Sequence, residues 1–218
     1  MLNFKIILLL KNFFPLLLKG ALVTIEIAIF AVLIGFSIGL IFGIINSNRI
    51  RIFILSQIID LYVMILRGTP VYVQILIIYF AIPDLLGINF SPFVAGVLTL
   101  GFNSVAYVTE IIRSGINSVP AGQWEASYTL GYGFIRTLYS IILPQMLRHN
   151  ISTLTSEFVM LIKETSILAA IGLLELTRVG MNINARILQP MPIYLIITIF
   201  YFTLTTIITI ASKKLEKG

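Results

Sequence analysis

The chain contains 218 residues, of which 58% are apolar and 11% are charged, and its mean hydropathy is +1.03. Soluble domains carry about 25% charged residues, so the composition excludes a domain that faces water on all sides and predicts an all-α membrane protein. The net charge of +6 comes from scattered basic residues, which suits inner loops and anionic headgroups and gives no indication of a nucleic-acid partner. With no cysteine and a single histidine, the sequence predicts neither a metal site nor a thiol nucleophile.

The first 19 residues are apolar, but Lys5, Lys11 and Lys19 interrupt them. Because no small-residue cleavage site follows, a cleaved signal peptide is the less favoured interpretation. Long lysine side chains can reach the headgroups from a helix that lies in the membrane surface. We therefore predict an N-terminal interfacial segment over residues 1–19.

Apolar stretches of about 20 residues, the length that crosses a bilayer, predict the membrane spans. The stretch 52–83 is too long for one span, contains Asp60 and Arg67, and is broken by Pro70. It is therefore divided into an interfacial helix over 52–66 and a span. The transmembrane domain, 20–212, then has five predicted spans at 20–45, 68–86, 92–112, 151–171 and 192–212, and a basic tail follows at 213–218.

The basic residues between the spans predict the orientation of the chain. More Lys and Arg residues lie inside when the N-terminus is outside and the C-terminus and its tail are inside. The longest hydrophilic segment, 113–150, then lies in the cytoplasm, and loops of this length usually carry function. It is predicted to form two short helices between Gln123 and Leu143, with a bend at Gly131.

Small residues repeat every fourth position in the first predicted span, at Gly35, Gly39 and Gly43. This spacing allows a second helix to approach closely and gain van der Waals contact. The second helix could belong to the same chain or to another subunit, and the spacing does not distinguish the two.

The predicted cytoplasmic loop carries several residue types at fixed spacing. Glu125-Ala126-Ser127 is followed after three residues by Gly131 and, nine residues later, by Ile141-Ile142-Leu143-Pro144. This pattern resembles the EAA loop of ABC importer permeases, with Ser127 in place of the usual second Ala. The resemblance implies that these residues couple the chain to a cytoplasmic ATPase. Glu125 would meet a basic residue or a helix N-terminus, and the small Ala126 and Ser127 would permit close approach.

Three further segments are similar to the polar amino-acid permeases of the histidine/glutamine type. They are Arg67-Gly68-Thr69-Pro70 with the following Val73-Gln74, the stretch from Ala106 to Gln123, and Leu161 to Ile167 with Glu175-Leu176-Thr177. Glu164 stands where this family usually has Asp, and Ile167 where it usually has Leu. The resemblance covers roughly residues 20–212.

The resemblance implies a five-helix permease of the type I, MetI-like fold in the inner membrane of a bacterium, working by alternating access. Its expected partners are a second permease copy or a paralogue, cytoplasmic ABC ATPase subunits that hold ATP and Mg, an extracytoplasmic solute-binding protein, and an amino-acid substrate. The chain itself has no GxxxxGK[ST] phosphate loop, so the sequence predicts a transport subunit that binds no cofactor directly and is not an enzyme.

Ionisable residues inside predicted spans mark the candidate substrate path, because each is costly to insert in lipid. Glu157 and Glu164 are seven residues apart and share nearly one helical face, so they are predicted to bind the ammonium group or a cationic side chain of the substrate. If both face the cavity, a basic amino acid is favoured. Lys163, Asn103 and Gln74 are further candidates. The alternative is structural: Lys163 pairs with a neighbouring helix, Glu157 lies at the interface, and the two amides tie helices together.

Two smaller predictions concern helix ends. Glu110 and Arg113 are three residues apart and are expected to form an intrahelical pair. Residues 173–189 are expected to form an outer amphipathic helix.

The alternative function is a secondary transporter or channel in which the intramembrane carboxylates relay protons. An intramembrane enzyme is disfavoured, because the chain has no cysteine and His149 lies at the end of the predicted loop.

Overall fold

A computed structural model describes residues 2–216, with side chains from Lys11 to Lys214. Over this range the regular secondary structure is helical, which confirms the predicted all-α fold. The helices are α1 (Leu2–Ile45), α2 (Phe53–Gly68), α3 (Val71–Leu86), α4 (Pro92–Ser118), α5 (Ala121–Thr129), α6 (134–164), α7 (Leu176–Ile187) and α8 (Pro190–Glu216). Helix α6 begins at Phe134–Thr137, passes through a π-helical turn at Leu138–Ile142, and continues as Leu143–Glu164; a 3₁₀ helix, Thr165–Ile171, follows.

Helix α4 lies at the centre of the molecule. It packs against α1 along much of its length and also against α2, α3 and α6. Small and apolar side chains allow these helices to pack closely on α4, and most residues from Ala95 to Ile116 are buried. Helix α8 packs on α6, α1 and α7 and completes the outer layer.

Helix α1 is continuous over 44 residues and passes Pro15 and Lys19 without a break. The sequence predicted a separate segment over 1–19, so the expected boundary at residue 19 is wrong. Proline removes one backbone hydrogen bond, but the apolar residues on both sides continue the helix once it has formed. The location of residues 2–19 in the headgroup layer stays a prediction.

The predicted division near Pro70 is confirmed. Helix α2 ends at Gly68, α3 begins at Val71, and the two helices are bent by 102°. Thr69 is extended (φ −118°, ψ 146°), as expected for a residue that precedes proline. Pro70 itself lies just before the first turn of α3 rather than within it.

In the part of the chain that the structure describes, three helical stretches are long and apolar enough to cross a membrane, namely Lys11–Ile45, Pro92–Ser118 and Pro190–Lys214, and the bent α2–α3 pair makes up to a fourth. The predicted span at 151–171 is not among them. It comprises the last part of α6, which carries many polar residues, and the 3₁₀ helix. Five spans therefore remain a prediction.

The three glycines of α1 form an intramolecular seam with α4. A Cβ atom built on Gly39 would lie 2.7 Å from the Cβ of Val108, and one on Gly43 would lie 2.5 Å from the Cβ of Ile112. Gly35 faces Ser104 in the same way. Of the two explanations left open by the sequence, packing within the chain is the one observed.

We expect Gly39→Ala to lower the melting temperature of the purified protein in detergent. Overpacking against the rigid Val108 costs about 1–3 kcal/mol, more than the roughly 1 kcal/mol that alanine gains over glycine in a helix. Gly122→Ala is the control, because it offers the same helical gain in α5 with no atom within 4 Å. A melting temperature of Gly39→Ala equal to that of the control would contradict the tight seam.

Helices occupy both ends of the predicted hydrophilic segment 113–150. Helix α4 continues to Ser118 and α6 already begins at Phe134, so the connection with its own short helix α5 covers 119–133 instead of 113–150. The bend at Gly131 is confirmed, with φ +80°. The second predicted helix is the beginning of α6, because buried apolar residues such as Leu138 and Ile142 continue the helical face into Met146.

An amphipathic helix is present in the predicted range as α7, and a buried carboxylate caps it. Glu175 accepts hydrogen bonds from the N–H groups of Thr177 (2.8 Å) and Arg178 (2.7 Å) and from the hydroxyl of Tyr201 (2.9 Å). Burial raises the pKa of Glu175, and these hydrogen bonds oppose the increase. The N–H of Leu176 donates to Thr24 Oγ1 (3.3 Å), so the cap fixes α7 between α1 and α8.

Candidate functional site

Two amide side chains hold the break between α2 and α3. Gln74 Nε2 donates to the carbonyl oxygens of Leu66 (2.9 Å) and Thr69 (3.2 Å). Asn103 Nδ2 of α4 donates to Leu66 O (3.3 Å) and to Gln74 Oε1 (3.1 Å). The last carbonyls of a helix have no partner within it, so these amides satisfy the end of α2. Gln74 and Asn103 therefore contact each other and the end of α2, and these contacts are of the helix-tying kind that the sequence left open beside a substrate-binding role.

A carboxylate and a guanidinium lie next to this break. Glu157 of α6 is 7% exposed and faces Ser104, whose buried hydroxyl has no hydrogen bond of standard geometry within the described part of the chain. Arg67, in the last turn of α2, lies 5.0 Å from the centre of the Tyr107 ring and attracts Glu157 electrostatically. The guanidinium and the carboxylate therefore both face α4, where Tyr107 and Ser104 are three residues apart.

The structure separates Lys163 from the other substrate-binding candidates. Glu164 is half-buried and interacts electrostatically with Glu157, which agrees with the shared helical face. Lys163 is exposed and lines a groove of about 390 Å³ between α6 and α8, together with Ser166 and Thr205. Gln74 and Asn103 therefore lie at the broken helix with Glu157 beside them, and Lys163 is on the side of α8.

The exposed face of α6 is polar, unlike the exposed faces of α1 and α8. On α1 and α8 large apolar side chains are exposed, as a lipid-facing surface requires. On α6 the exposed side chains after Arg148 are mainly polar: His149, Ser152, Thr153, Ser156 and Lys163. Such a face suits water or another protein chain better than lipid.

Sequence reasoning did not identify Tyr107 as part of this site. It lies four residues after Asn103 on α4, a spacing that places both on one helical face. That spacing was the available signal.

The pair of Glu110 and Arg113, in contrast, was predicted and is confirmed, with a contact of 2.7 Å between Arg113 Nη2 and Glu110 Oε2.

The segment with the Glu125-Ala126-Ser127 pattern is a compact unit at one end of the molecule. Trp124 of α5 is buried and stacks on Phe134 of α6, with 6.1 Å between ring centres. Ser127 is buried as well, and its hydroxyl contacts Thr137 Oγ1 at 2.9 Å and donates to Trp124 O at 2.7 Å. Glu125 and Ala126 are exposed.

Ser127 differs from Glu125 and Ala126 in its surroundings, and its coupling role stays a prediction. Its side chain points into the unit and is not available for contact with a partner. The small size of Ser127 serves the close packing of α5 on α6, and its hydroxyl provides a polar contact that alanine cannot form. Thr137, which completes this contact, was missed, because nothing in its spacing from Ser127 indicates that the turn at Gly131 brings the two together.

We expect Ser127→Ala to destabilise the chain by about 1–2 kcal/mol, because it leaves the buried hydroxyl of Thr137 without its partner. The double variant Ser127→Ala/Thr137→Val removes both polar groups and should regain most of that loss. Thermal unfolding in detergent measures both. Equal melting temperatures for the wild type and Ser127→Ala would contradict an energetic role for this hydrogen bond.

The remaining residues of the pattern anchor the unit to the helical core. Ile142 and Leu143 are buried in a cluster with Ile112 of α4, Ile141 packs at its edge, and Pro144 lies in the first turn after the π-helical segment. The unit is therefore continuous with the interior of the molecule. Its outer surface is apolar in places, with exposed side chains at Tyr128, Leu130, Ile135 and Tyr139.

The family of the chain follows from a match that extends over most of its length. The family model described as "Binding-protein-dependent transport system inner membrane component" matches residues 35–218. The chain belongs to this family. As a member, it is an inner-membrane component of a bacterial binding-protein-dependent transport system. Its relatives are transport permeases and not enzymes.

Relatives of this family member are similar over nearly their full length. The arginine transport system permease protein ArtQ of Bacillus subtilis is 34% identical over 203 residues, which is 93% of this chain and 92% of that protein. The glutamine transport system permease protein GlnP of Escherichia coli is 33% identical, covering 93% and 92%. A putative glutamine permease of Rickettsia typhi is 36% identical, covering 94% and 95%.

Solved structures confirm the expected MetI-like fold of the family member. A crystal structure of an amino acid ABC transporter with histidines matches with a TM-score of 0.87 and 33% identity, covering 96% of this chain and 97% of that one. An inward-facing MetNI methionine ABC transporter matches with a TM-score of 0.82 at 18% identity, which shows a shared fold alone.

Proposed function

We propose that the chain is the permease subunit of an ATP-binding-cassette importer that moves a polar amino acid across the inner membrane. The observation that carries this proposal is that the buried Glu157 faces Ser104 of α4 and Arg67 lies over Tyr107 of the same helix, beside the broken helix. A free amino acid has an ammonium and a carboxylate group, and a site with one fixed charge of each sign can bind both. The names of the relatives, which specify arginine and glutamine, support this substrate class.

Within this proposal Glu157 binds the ammonium group and Arg67 binds the carboxylate. Glu164 lies close enough to Glu157 to interact with it and would contact a cationic side chain, which favours a basic amino acid. Gln74 and Asn103 shape the site by holding the break and can exchange their mutual hydrogen bond for one to the substrate. Lys163 acts farther along the polar face of α6, on the path rather than in the site.

The energy for transport comes from partner subunits in this proposal. The exposed Glu125 and Ala126, with the apolar side chains around them, form a docking surface for a cytoplasmic ABC ATPase that holds ATP and Mg. Gly131, Ile141, Leu143 and Pro144 link this surface to the core. A second permease copy or paralogue covers the polar face of α6, and a solute-binding protein delivers the amino acid from outside. The N-terminus is then outside and the C-terminus inside.

Uptake into vesicles tests the proposal. The permease is co-expressed with its ATPase and binding protein, reconstituted, and supplied with radiolabelled arginine and glutamine. We expect uptake to require ATP on the side of the vesicle membrane where the ATPase lies, and we expect vanadate to block it. Uptake that instead follows a proton or sodium gradient, with vanadate without effect, would favour the secondary-transporter alternative and contradict the proposal.

A further inference from the structure

The turn between α1 and α2, residues 46–52, is tied to α2 by polar contacts. Asn46 is 3% exposed, and its Nδ2 donates to Asp60 Oδ1 at 2.6 Å. Arg51 Nη2 contacts the other oxygen of Asp60 at 3.2 Å. Asp60 lies in the middle of α2, so both contacts join the turn to this helix through a single carboxylate.

The same turn also contacts the ends of α4 and α5. The N–H of Asn48 donates to Asn117 Oδ1 at 3.0 Å, one residue before α4 ends. The guanidinium of Arg49 lies 5.8 Å from the centre of the buried Trp124 ring, within the range of a cation–π contact. The turn therefore connects α2 with the unit that presents Glu125 and Ala126.

The other polar contacts of α2 lie in its second half, where Tyr62 donates to Phe102 O and Leu66 O accepts from Gln74 and Asn103. The apolar cluster beneath this helix contains three fully buried residues, Ile59 and Val63 of α2 and Ala106 of α4. Its N-terminus has no side-chain cap. Most of its other apolar side chains are exposed, so the first half of α2 can shift about this small cluster without opening a large buried surface.

We propose that residues 46–52 transmit the position of α5 to α2, with Arg49 and Asp60 as positioning residues. The inference rests on the proposed function and deepens it. A displacement of Trp124 shifts Arg49 and the turn, and Asp60 converts that shift into a rotation of α2. Asp60 and Arg67 are seven residues apart on one rigid helix, roughly 10.5 Å along the axis, so the rotation reaches Arg67 and the break that Gln74 and Asn103 stabilise. The contact between Arg51 and Asp60 is exposed on both sides, which allows it to form and break during a cycle.

The ratio of ATP hydrolysed to amino acid imported by the complete reconstituted importer tests this connection. We expect Asp60→Asn and Arg49→Gln each to raise that ratio about fivefold, because ATP hydrolysis continues while its coupling to the site weakens. Arg136→Gln is the matched control. Its guanidinium lies 4.3 Å from the Tyr132 ring, so it removes a similar cation–π contact that stays within the α5 end of the chain, and the ratio should not change.

Each outcome bears on the proposal. An unchanged ratio in both variants would overturn it, and so would equal losses of hydrolysis and uptake, which indicate a purely structural role. If Asp60→Asn fails to assemble, Arg49→Gln alone decides, since Arg49 is exposed and its loss opens no cavity. Absence of ATP-driven uptake by the unmodified importer would instead contradict the proposed function itself.

Discussion

Glu157→Gln is expected to lower amino-acid uptake about 100-fold, because a charge-assisted hydrogen bond in a desolvated site contributes about 3 kcal/mol. The substitution keeps the shape of the side chain and its contact with Ser104, so only the negative charge is lost. The substrate ammonium group then has no fixed partner opposite Arg67. Initial rates of radiolabelled uptake measure the effect, and co-purification with the ATPase shows whether the importer still assembles.

Glu26→Gln is the control for this experiment. Glu26 is an exposed acid on α1, on the far side of the helix from its seam with α4, and the same exchange there should leave uptake unchanged. Uptake by Glu157→Gln that equals uptake by the control would place the substrate elsewhere. A loss of assembly together with uptake would show that Glu157 supports the fold instead.

The same uptake assay measures the contribution of the second carboxylate, Glu164. Glu164 is more exposed than Glu157, so its interactions are better screened by solvent. We expect Glu164→Gln to reduce uptake of arginine about tenfold and uptake of glutamine much less, since only arginine has a cationic side chain to contact it. Equal effects on both amino acids would contradict a role for Glu164 in selecting a basic substrate.

The elements that proline and glycine control were predictable from the sequence. Pro70 removes a backbone donor and restricts Thr69, so any fold of this chain must bend near that position, and the observed bend lies there. Gly131 adopts a left-handed conformation that other residues rarely take, and the turn it was expected to form is present. These are local constraints that need no knowledge of neighbouring helices.

What the sequence could not show was which helix each face meets. Glu157 and Lys163 are both ionisable residues of one predicted span. They are six residues apart, so their side chains point in directions that differ by about 120° around the helix axis. Only packing against α4 and α8 determines that Glu157 faces the broken helix and that Lys163 faces the opposite groove. Ser127 is a similar case. Its inward direction depends on how α5 lies on α6, which is a tertiary contact.

Helix boundaries were the least predictable part, for a related reason. Residues 113–118 and 134–150 are polar enough to resemble a loop, but one face of each stretch is buried against the other, as in the contact of Gly115 with Met146. That buried face extends α4 and α6 beyond the predicted membrane limits. Hydropathy averages over all faces of a helix and therefore underestimates helices that are half-buried.

Ala126→Trp is expected to abolish ATP-driven uptake and to weaken binding of the ATPase about 100-fold. Ala126 is exposed on α5, so a large side chain there fits the isolated chain without disturbing its core. In a complex the added ring must either displace the partner or open the interface, and a clash of this kind typically costs several kcal/mol. Binding of the ATPase to the detergent-solubilised permease measures the effect, and the melting temperature of the permease alone should stay the same.

Ala126→Ser provides the graded comparison, because it adds a single oxygen atom at the same position and should retain both binding and uptake. If Ala126→Trp bound the ATPase normally, the exposed face of α5 would not be the docking surface. A loss in both variants would indicate a defect in α5 rather than a clash. The expected order follows from side-chain volume alone: a surface that must lie against another protein tolerates a small addition and rejects a large one, whereas a free surface tolerates both.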